Sequence, residues 1–366
     1  MGHGPSVEVS VVTSGHDVAD ARLHRLVAAL ARAGLRVEVL GLGTADAGPP
    51  EAINRTQPRG SLARRALGAL RLPWRCHGRV LISLDPDVAV GCAMRRLLAG
   101  PKRLVWVAEV HEDYLALLED RAWAKGPRGV VGRAVARAGL TFARRADLTV
   151  VVDDYLARTA RRRMVVPNVP DMTMLPAPVP LDAQPRAIYI GDLTASRGLF
   201  TMLKALELAP DWTLDLVGRL SAEDATACHD ELALNHGLAS RVKLHGLLPP
   251  RQAWAVAAGA WAGLSLLEDT RAFRATMPSK VYEYLACGLP VLTSPLARPA
   301  ELIKSSGAGA VVGDAAATAQ VLNQWLIEPA AYQAAAEAAQ AASAEMAQQC
   351  GQMDQLAHQI QAWIRR

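Results

Sequence analysis

The sequence predicts an α/β protein of two doubly wound domains, each a parallel sheet covered by helices on both faces. Its 366 residues are too many for one ordinary domain. Short apolar runs alternate with amphipathic helical stretches in both halves. A proline-rich stretch without periodicity, residues 171–185, lies between the halves and is typical of a linker. We expect domains at 1–172 and 173–351, with a helix at 352–366 packing back on the first.

The first domain begins with a strand at 7–13, a helix at 20–33 and a strand at 36–43. Strand, helix and strand in so short a segment form a βαβ unit, which requires parallel strands. Further apolar runs predict three more strands, at 80–84, 103–110 and 148–153.

The second domain restarts the alternation after the linker. Strands are predicted at 187–193, 212–218, 241–246, 262–268, 290–294 and 308–314. Helices are predicted at 197–209, 221–237, near 250–259, and from Pro329 onward, where the sequence is rich in alanine. Ligands of such folds bind at the carboxyl ends of the strands, so we expect a cleft between the two domains to hold the ligand.

The stretch 277–294, MPSKVYEYLACGLPVLTS, predicts a loop, a short helix and a buried strand. Pro278 and Ser279 suit a helix start and Gly288 suits its end. A helix N-terminus attracts anions, so the phosphates of a nucleotide could bind here, with Glu283 holding a ribose. The alternative is a surface helix carrying a Lys280–Glu283 pair worth a few tenths of a kcal/mol.

The net charge of +5 is unevenly distributed. Residues 1–180 hold 26 Lys and Arg against 17 Asp and Glu, and residues 181–366 hold 14 against 18. Two stretches, 59–79 and 128–147, mix arginine with apolar residues at rough helical spacing. They predict either peripheral contact with an anionic membrane or packed helices with a solvated arginine face. No recognised nucleic-acid module is visible, so we expect no nucleic-acid partner.

Cysteine and hydropathy patterns indicate the compartment. The five cysteines show no paired spacing of a zinc site, and no apolar run reaches 18 residues. The N-terminus lacks the basic start and apolar core of a secretory signal. We expect a cytoplasmic protein, acting there or at the inner face of the membrane, with no metal and no bound cofactor.

Four motifs in order resemble the retaining glycosyltransferases of the GT-B fold, family 4, also called glycosyl transferases group 1. PSKVYEYLACGLPVLTS is similar to P-[NS]-K-x-x-E-Y-x-A-x-G-x-P-V, and GDLTASRG at 191–198 to G-x-L-x-x-x-[KR]-G. In the first half, residues 16–22 resemble an H-x-x-x-D-x-R start and EVHEDY at 109–114 resembles D-x-H-E. The resemblance implies two Rossmann-like domains facing across a cleft.

The family's donor-binding roles carry over to this chain position by position. Glu283 would hold the two ribose hydroxyls. Arg197 and Lys280, with the helix-start amides near Ser279, would bind the donor diphosphate, and a guanidinium suits phosphate oxygens bidentately.

The glycines and His111 complete the implied site. Gly15, in the first βα loop, would allow the backbone close to the diphosphate or sugar. Gly191 and Gly218 would line the donor pocket, and His111 would contact the donor sugar and the reacting centre. The activity implied is hexosyl transfer from a nucleotide diphosphate sugar, UDP or GDP sugar, to a hydroxyl of an unidentified acceptor. The basic stretches of the first half favour a lipid-linked or anionic acceptor, and a secondary metabolite or other soluble acceptor stays open.

Several residues depart from the family pattern. Asp192 stands where relatives often carry arginine, and Ala275 replaces the first glutamate of E-x7-E. Arg271 and Arg274 could contact phosphate or carboxylate, or be plain surface arginines. The letters Asp85-Pro86-Asp87 fit a metal-binding DxD but lie in the acceptor-side domain, so a metal-independent reaction is expected. Two alternatives stay open: a sugar-nucleotide epimerase of the same architecture and a partner subunit that has lost catalysis.

Overall fold

A computed structural model describes residues 7–58, 60–100, 104–119, 124, 126–176, 179–348 and 351–365. The chain divides into two compact units: unit 1 is Met1–Asn168 with Gly351–Arg366, and unit 2 is Val169–Cys350. The first division therefore falls between 168 and 169, against 172 and 173 expected from the proline-rich stretch. Each unit is built on one parallel sheet, which confirms the predicted α/β class.

Unit 1 contains seven strands in the order β3-β2-β1-β4-β5-β6-β7. They are β1 Val9–Asp17, β2 Val37–Leu42, β3 Ala52–Gln57, β4 Val80–Ser83, β5 Val105–Val110, β6 Leu148–Val151 and β7 Arg163–Val165. All neighbouring pairs are parallel. The order reverses between β1 and β4, and ligands of doubly wound sheets bind beyond the carboxyl ends of the strands at such a reversal.

Helices cover both faces of this sheet. They are α1 Ala21–Arg32, α2 Leu62–Arg71, α3 Pro86–Ala99, α4 Tyr114–Glu119, α5 Gly126–Ala143 and, from the far end of the sequence, α14 Gln352–Arg365. On one face α1 packs with α14 through Leu26, Leu30, Leu356 and Ile360. On the other face α2, α3 and α5 share a core with β4 and β5 that includes Leu81 and Trp106.

The strands that lie at the two edges of the unit 1 sheet, β3 and β7, were not predicted, nor was α3. The strand β3 carries one large apolar residue, Ile53, whose side chain is exposed. An edge strand of this kind has no apolar run, because it contributes little to the core.

Unit 2 contains six strands in the order β10-β9-β8-β11-β12-β13. They are β8 Arg186–Ile190, β9 Thr213–Val217, β10 Val242–Gly246, β11 Ala262–Ser265, β12 Val291–Thr293 and β13 Gly309–Val311. The helices are α6 Leu199–Leu208, α7 Ala225–Leu234, α8 His236–Ala239, α9 Pro250–Ala255, α10 Ser279–Ala286, α11 Ala297–Ser306, α12 Ala315–Ile327 and α13 Pro329–Gln348. Here the strand order reverses between β8 and β11.

Unit 2 has a core on each face of its sheet. On one side Trp212 is fully buried and its indole N–H donates to Leu322 O of α12 at 3.1 Å. On the other side α10 buries Val281, Tyr284 and Leu285. Among the described residues, no helix has the length and apolarity that a bilayer span requires.

Candidate functional site

The helix α10 is fixed beside the end of β8 by Tyr284. Its hydroxyl oxygen accepts a hydrogen bond from Ile190 N at 2.9 Å, and its ring meets Trp254 edge to face at 5.4 Å. Gly263 of β11 lies under this ring, where a Cβ would stand 2.3 Å from the ring carbon Cγ. The first turn of α10 is therefore held at the strand-order reversal of unit 2.

Lys280, in that first turn, is buried with an exposed fraction of 7%. Its Nζ lies 3.7 Å from the centre of the Tyr189 ring and has no hydrogen-bond partner in the described part of the chain. Burial, reinforced by the positive charge of Arg197, lowers the pKa of Lys280 well below its usual range. A buried amine without a hydrogen-bonding partner is costly, so its presence points to a ligand that supplies one.

Two glycines make room for Lys280. Gly191, which follows β8, has φ +144°, and a Cβ there would stand 2.9 Å from Lys280 Nζ. Gly218, which follows β9, has φ +149°, and a Cβ there would lie 1.8 Å from Gly191 O. Both backbone conformations favour glycine, and at Gly218 the backbone of Gly191 also leaves no room for a side chain. The predicted pair of glycines thus lies at adjacent strand ends beside the lysine.

Arg197 ends a 3-10 turn, Ala195–Arg197, that Thr194 caps through a hydrogen bond from Arg197 N at 3.2 Å. Its guanidinium carbon lies 5.5 Å from the centre of the Phe273 ring. Because its charge acts on Lys280, the two predicted phosphate ligands belong to one electrostatic cluster. Phe273, in the loop before α10, was not predicted.

Glu283 and Ser279 occupy α10 with Lys280. Glu283 lies one turn in and is 5% exposed, and Ser279 is the first residue of the helix. The alternative of a surface helix with a Lys280–Glu283 pair is wrong, because both side chains are buried and Lys280 Nζ makes no hydrogen bond to a described residue. An anionic and a cationic side chain therefore face the interior at the start of α10.

Asp192, the departure from the family pattern, has a cationic neighbour. Its carboxylate lies 3.2 Å from Nη2 of Arg219, which follows β9. The arginine missing from the end of β8 thus has a counterpart at the end of the next strand. Arg274 pairs with Asp269 at 2.9 Å on the surface, which suits the interpretation of a plain surface arginine.

In unit 1, the irregular carboxyl end of β1, from Thr13 to His16, contacts the carboxylate of Asp85, which follows β4. Asp85 Oδ2 accepts from Thr13 Oγ1, from Ser14 N at 2.8 Å and from Gly15 N at 3.1 Å. Its Oδ1 lies 2.8 Å from His16 Nδ1. Burial opposes ionisation of both groups, but their mutual attraction outweighs it, raising the pKa of His16 to about 10 and lowering that of Asp85.

Gly15, which was expected in the first βα loop, lies instead within β1, directly under an arginine. Arg65 of α2 places Nη2 2.5 Å from where a Cβ on Gly15 would lie. Its Nε donates to Asp87 Oδ2 at 3.0 Å and to Ser14 Oγ at 3.3 Å. Asp85 and Asp87, which resembled a DxD motif, are thus engaged by a histidine and an arginine of their own unit.

His111 stands one strand further along, just after β5. Its Nε2 lies 3.0 Å from Glu109 Oε2, and its ring meets the His16 ring edge to face at 5.6 Å. Glu109 also pairs with the buried Arg22 of α1. Burial raises the pKa of Glu109, but Arg22 and His111 outweigh it and lower it to about 2.

His16, Asp20 and Arg22 of the first N-terminal motif and His111 of the second lie close together in unit 1. Asp20 caps α1, accepting from Leu23 N at 3.0 Å, as its type at that position predicts. Arg22 and His111 both contact Glu109, and the ring of His111 contacts the ring of His16. Neither Asp85 nor Arg65 was predicted as a site residue, although an aspartate directly after a buried strand at the reversal point was a usable signal.

Comparison with protein families finds one match, in the second half of the chain. Residues 176–342 match the family described as Glycosyl transferases group 1, which confirms the resemblance drawn from the motifs. No curated protein sequence matches the chain.

Solved structures show the fold. HepE from Anabaena in complex with UDP-glucose superposes with a TM-score of 0.68 at 17% identity, covering 97% of this chain and 99% of that one. Sucrose-phosphate synthase from Thermosynechococcus elongatus superposes with a TM-score of 0.67 at 16% identity, covering 93% of this chain and 98% of that one. WaaG, a glycosyltransferase involved in lipopolysaccharide biosynthesis, superposes with a TM-score of 0.64 at 15% identity, covering 96% of this chain and 98% of that one. The predicted GT-B fold is confirmed.

Proposed function

Starting from the match of residues 176–342 to the glycosyl transferases group 1, we propose that this chain transfers a sugar from a nucleotide diphosphate sugar to an acceptor hydroxyl with retention of anomeric configuration. The observation that carries the proposal is Lys280: a buried amine without a hydrogen-bonding partner among the described residues, beside Arg197 and the start of α10. A diphosphate supplies the acceptor oxygens that this cluster lacks.

The donor is proposed to be a UDP or GDP sugar bound to unit 2. HepE was solved with UDP and with UDP-glucose, which favours UDP. Glu283 would bind the ribose hydroxyls, since a buried carboxylate accepts two hydrogen bonds from a diol. The amide of Ser279 at the start of α10 would face the phosphates, and Gly191 and Gly218 would allow them close to the backbone.

The leaving diphosphate is proposed to be stabilised by Arg197, Lys280 and the α10 terminus rather than by a metal ion. Fixed cationic groups aimed at developing negative charge account for a large share of catalysis in many enzymes. The two DxD carboxylates support this reading, because His16 and Arg65 already occupy them. Attack on the same face of the sugar would pass through an oxocarbenium-like state, with the diphosphate accepting the acceptor proton.

His111 is proposed to orient and stabilise the reacting centre rather than to act as the base. Its contact with Glu109 fixes the ring, in the way that carboxylates commonly orient imidazoles. A His111→Ala variant should lower turnover while leaving the nucleotide dissociation constant unchanged. A large loss of nucleotide binding would instead place His111 in the nucleotide pocket.

Two variants test the donor site. Glu283→Ala should weaken UDP or GDP binding by about tenfold to a hundredfold, since a charge-assisted hydrogen bond contributes roughly 1.5–3 kcal/mol. Arg197→Ala should mainly lower the rate of nucleotide release from the donor. Arg274→Ala, in the loop before α10 with its guanidinium on the surface, is the matched control. Normal binding and turnover in both site variants would refute the assignment.

We further propose an acceptor at the cytoplasmic face of an anionic membrane, because unit 1 exposes apolar residues on one side. All its described exposed large apolar side chains except Ile53 lie on α2, the following 3-10 turn, α3 and α5. The exposed apolar side chains on α2, the 3-10 turn and α3 form what we call the apolar patch: Leu67, Leu70, Trp74, Met94, Leu97 and Leu98.

The helices α2 and α3 run side by side, which makes this patch continuous. Arg65 of α2 pairs with Asp87, and the backbone oxygen of Ala69 lies 3.0 Å from the Cβ position of Gly91. One turn later, Arg95 of α3 donates to Pro73 O and Cys76 O. Residues 62–84 contain no acidic residue and neither do 88–100. Apolar side chains flanked by arginine without acid suit an anionic bilayer.

Vesicle sedimentation tests this contact. Leu97→Gln with Leu98→Gln, at positions 82% and 74% exposed, should abolish sedimentation with phosphatidylglycerol vesicles. Leu234→Gln, at an equally exposed leucine of unit 2, should leave it unchanged. Equal sedimentation of all three proteins, or none by the wild type, would contradict the proposal, as would tighter binding to RNA than to vesicles.

A further inference from the structure

We infer that the carboxyl edge of β1 and β4 in unit 1 holds an oxyanion subsite for the acceptor, with Arg65 and His16 as its donors. The inference rests on the proposed function, for which it names the acceptor class: a molecule carrying a phosphate or a carboxylate near the hydroxyl that receives the sugar. Neither residue was expected to bind a ligand from the family's motifs.

The location is the reversal point of the unit 1 sheet. Strand β1 leads to β2 on one side, and β4 begins the run on the other side. Gly15 and His16 lie at the end of β1, and Asp85 follows β4. The crevice outside such a pair of strands is where doubly wound sheets bind ligands.

Arg65 is fixed there with its terminal nitrogens available. Asp87 and Ser14 both engage Nε, on one edge of the guanidinium. Neither Nη1 nor Nη2 has a hydrogen-bond partner among the described residues, and the side chain is 36% exposed. Nη2 stands over Gly15, whose missing side chain leaves the space it occupies. The geometry positions a planar two-pronged donor at the strand ends.

His16 adds a third donor. Its Nδ1 faces Asp85 at 2.8 Å, while Nε2 has no partner in the described chain and the ring is 28% exposed. A carboxylate behind the ring holds the imidazole in its charged form, so the outward nitrogen carries a proton. The neighbouring charges are those of Asp20 and Glu112, which also favour this form.

The chemistry of the free atoms selects the ligand. Oδ2 of Asp85 already accepts three hydrogen bonds and its Oδ1 faces His16. Oδ1 of Asp87 accepts from Ser14 Oγ at 2.7 Å and Val88 N at 3.0 Å, and its Oδ2 accepts from Arg65. The groups left open are N–H donors from the arginine and the histidine. A ligand made only of acceptors, an oxyanion, satisfies them, whereas a bare sugar hydroxyl would leave them partly unpaired.

The test observes the His16 ring in the full-length protein by NMR, with UDP saturating unit 2. The ring signal is identified by its absence in His16→Gln. Inorganic phosphate is titrated in one arm and acetate in the other, at constant pH, to separate phosphate from carboxylate acceptors. We expect the His16 signal to shift in at least one arm, with affinity at least tenfold weaker in Arg65→Gln. Arg64→Gln, at the exposed arginine next in sequence, should behave as wild type.

Each outcome decides the inference. No shift of His16 in either arm overturns it, as does an equal affinity in the wild type and Arg65→Gln. Arg65→Lys keeps the positive charge but loses the two-pronged geometry. Its affinity for the anion should therefore lie between those of the wild type and Arg65→Gln. UDP binding is measured on the same samples, so its absence would count against the proposed function and not against the subsite.

Discussion

Replacing Asp85 by asparagine should remove a pH-dependent part of the stability of unit 1. The carboxylate accepts hydrogen bonds from the carboxyl end of β1 and raises the pKa of His16 from 6.5 to about 10, despite burial that opposes the charge. A difference of this size corresponds to on the order of 5 kcal/mol between charged and neutral forms. The variant loses the negative charge, so burial should bring the pKa of His16 well below that of the wild type, with Asp20 and Glu112 opposing part of the fall.

The pH dependence of the stability follows from the direction in which the pKa of His16 is shifted. Because the folded pKa lies above the unfolded one, the contribution is fully present below pH 6.5 and is lost as pH rises toward 10. Between these pH values the folded chain keeps a proton on His16 that the unfolded chain releases. The free energy of unfolding of the wild type should therefore fall by about 1.4 kcal/mol per pH unit relative to the variant.

Two measurements check this prediction. NMR titration of the histidine rings gives the pKa of His16 directly, and urea unfolding from pH 6.5 to 9.5 gives the stability difference. Asp354→Asn is the control, since that carboxylate pairs with Arg32 on the surface at 2.9 Å. A wild-type His16 that titrates near 6.5, or a stability difference independent of pH, would refute the reasoning. Confirmation would also show that His16 is charged at neutral pH and cannot serve as a base.

Three further predictions concern buried groups. Lys280→Met should raise the melting temperature by a few degrees, since it replaces a costly buried amine with an apolar side chain. The same variant should weaken UDP binding at least tenfold, as measured by calorimetry. A lower melting temperature with unchanged UDP affinity would contradict this prediction. Gly263→Ala should cost about 1–3 kcal/mol in urea unfolding, because its Cβ meets the Tyr284 ring, whereas Gly313→Ala, with no atom within 4 Å, should be near neutral. Arg22→Met should cost about 3–5 kcal/mol, because the buried Glu109 loses its guanidinium partner and keeps His111 beside its other oxygen. Arg32→Met on the surface should cost little, and equal losses would argue against the buried pair.

Local signals in the sequence predict the elements that local chemistry determines. Pro278 and Gly288 bracket the predicted helix, and the structure has α10 at Ser279–Ala286 with Gly288 at φ +74°. Asp20 caps α1 through its own side chain. Buried strands such as β1 and β8 are visible as apolar runs, because both faces of a parallel sheet are covered.

Edge strands and long-range contacts cannot be found this way. The strand β3 is defined by its pairing with β2, while its one large apolar side chain is exposed. Asp85 is 69 to 72 residues from the end of β1 that it contacts, so the sequence around it suggested only a metal-binding motif. Arg64 and Arg65 are adjacent in one basic stretch, and only the packing of α2 on β1 places one of them over Gly15.

The packing of α14 on α1 has a consequence for the order in which the protein is made. Unit 1 is encoded by two separate segments, with all of unit 2 translated between them. Leu26 and Leu30 of α1 therefore stay uncovered on the ribosome until Leu356 and Ile360 emerge, although their own sheet is complete by residue 168. A fragment ending at residue 350 would carry this apolar strip exposed, whereas unit 2 could fold before synthesis ends. Synthesis of unit 1 therefore begins before that of unit 2 and ends after it.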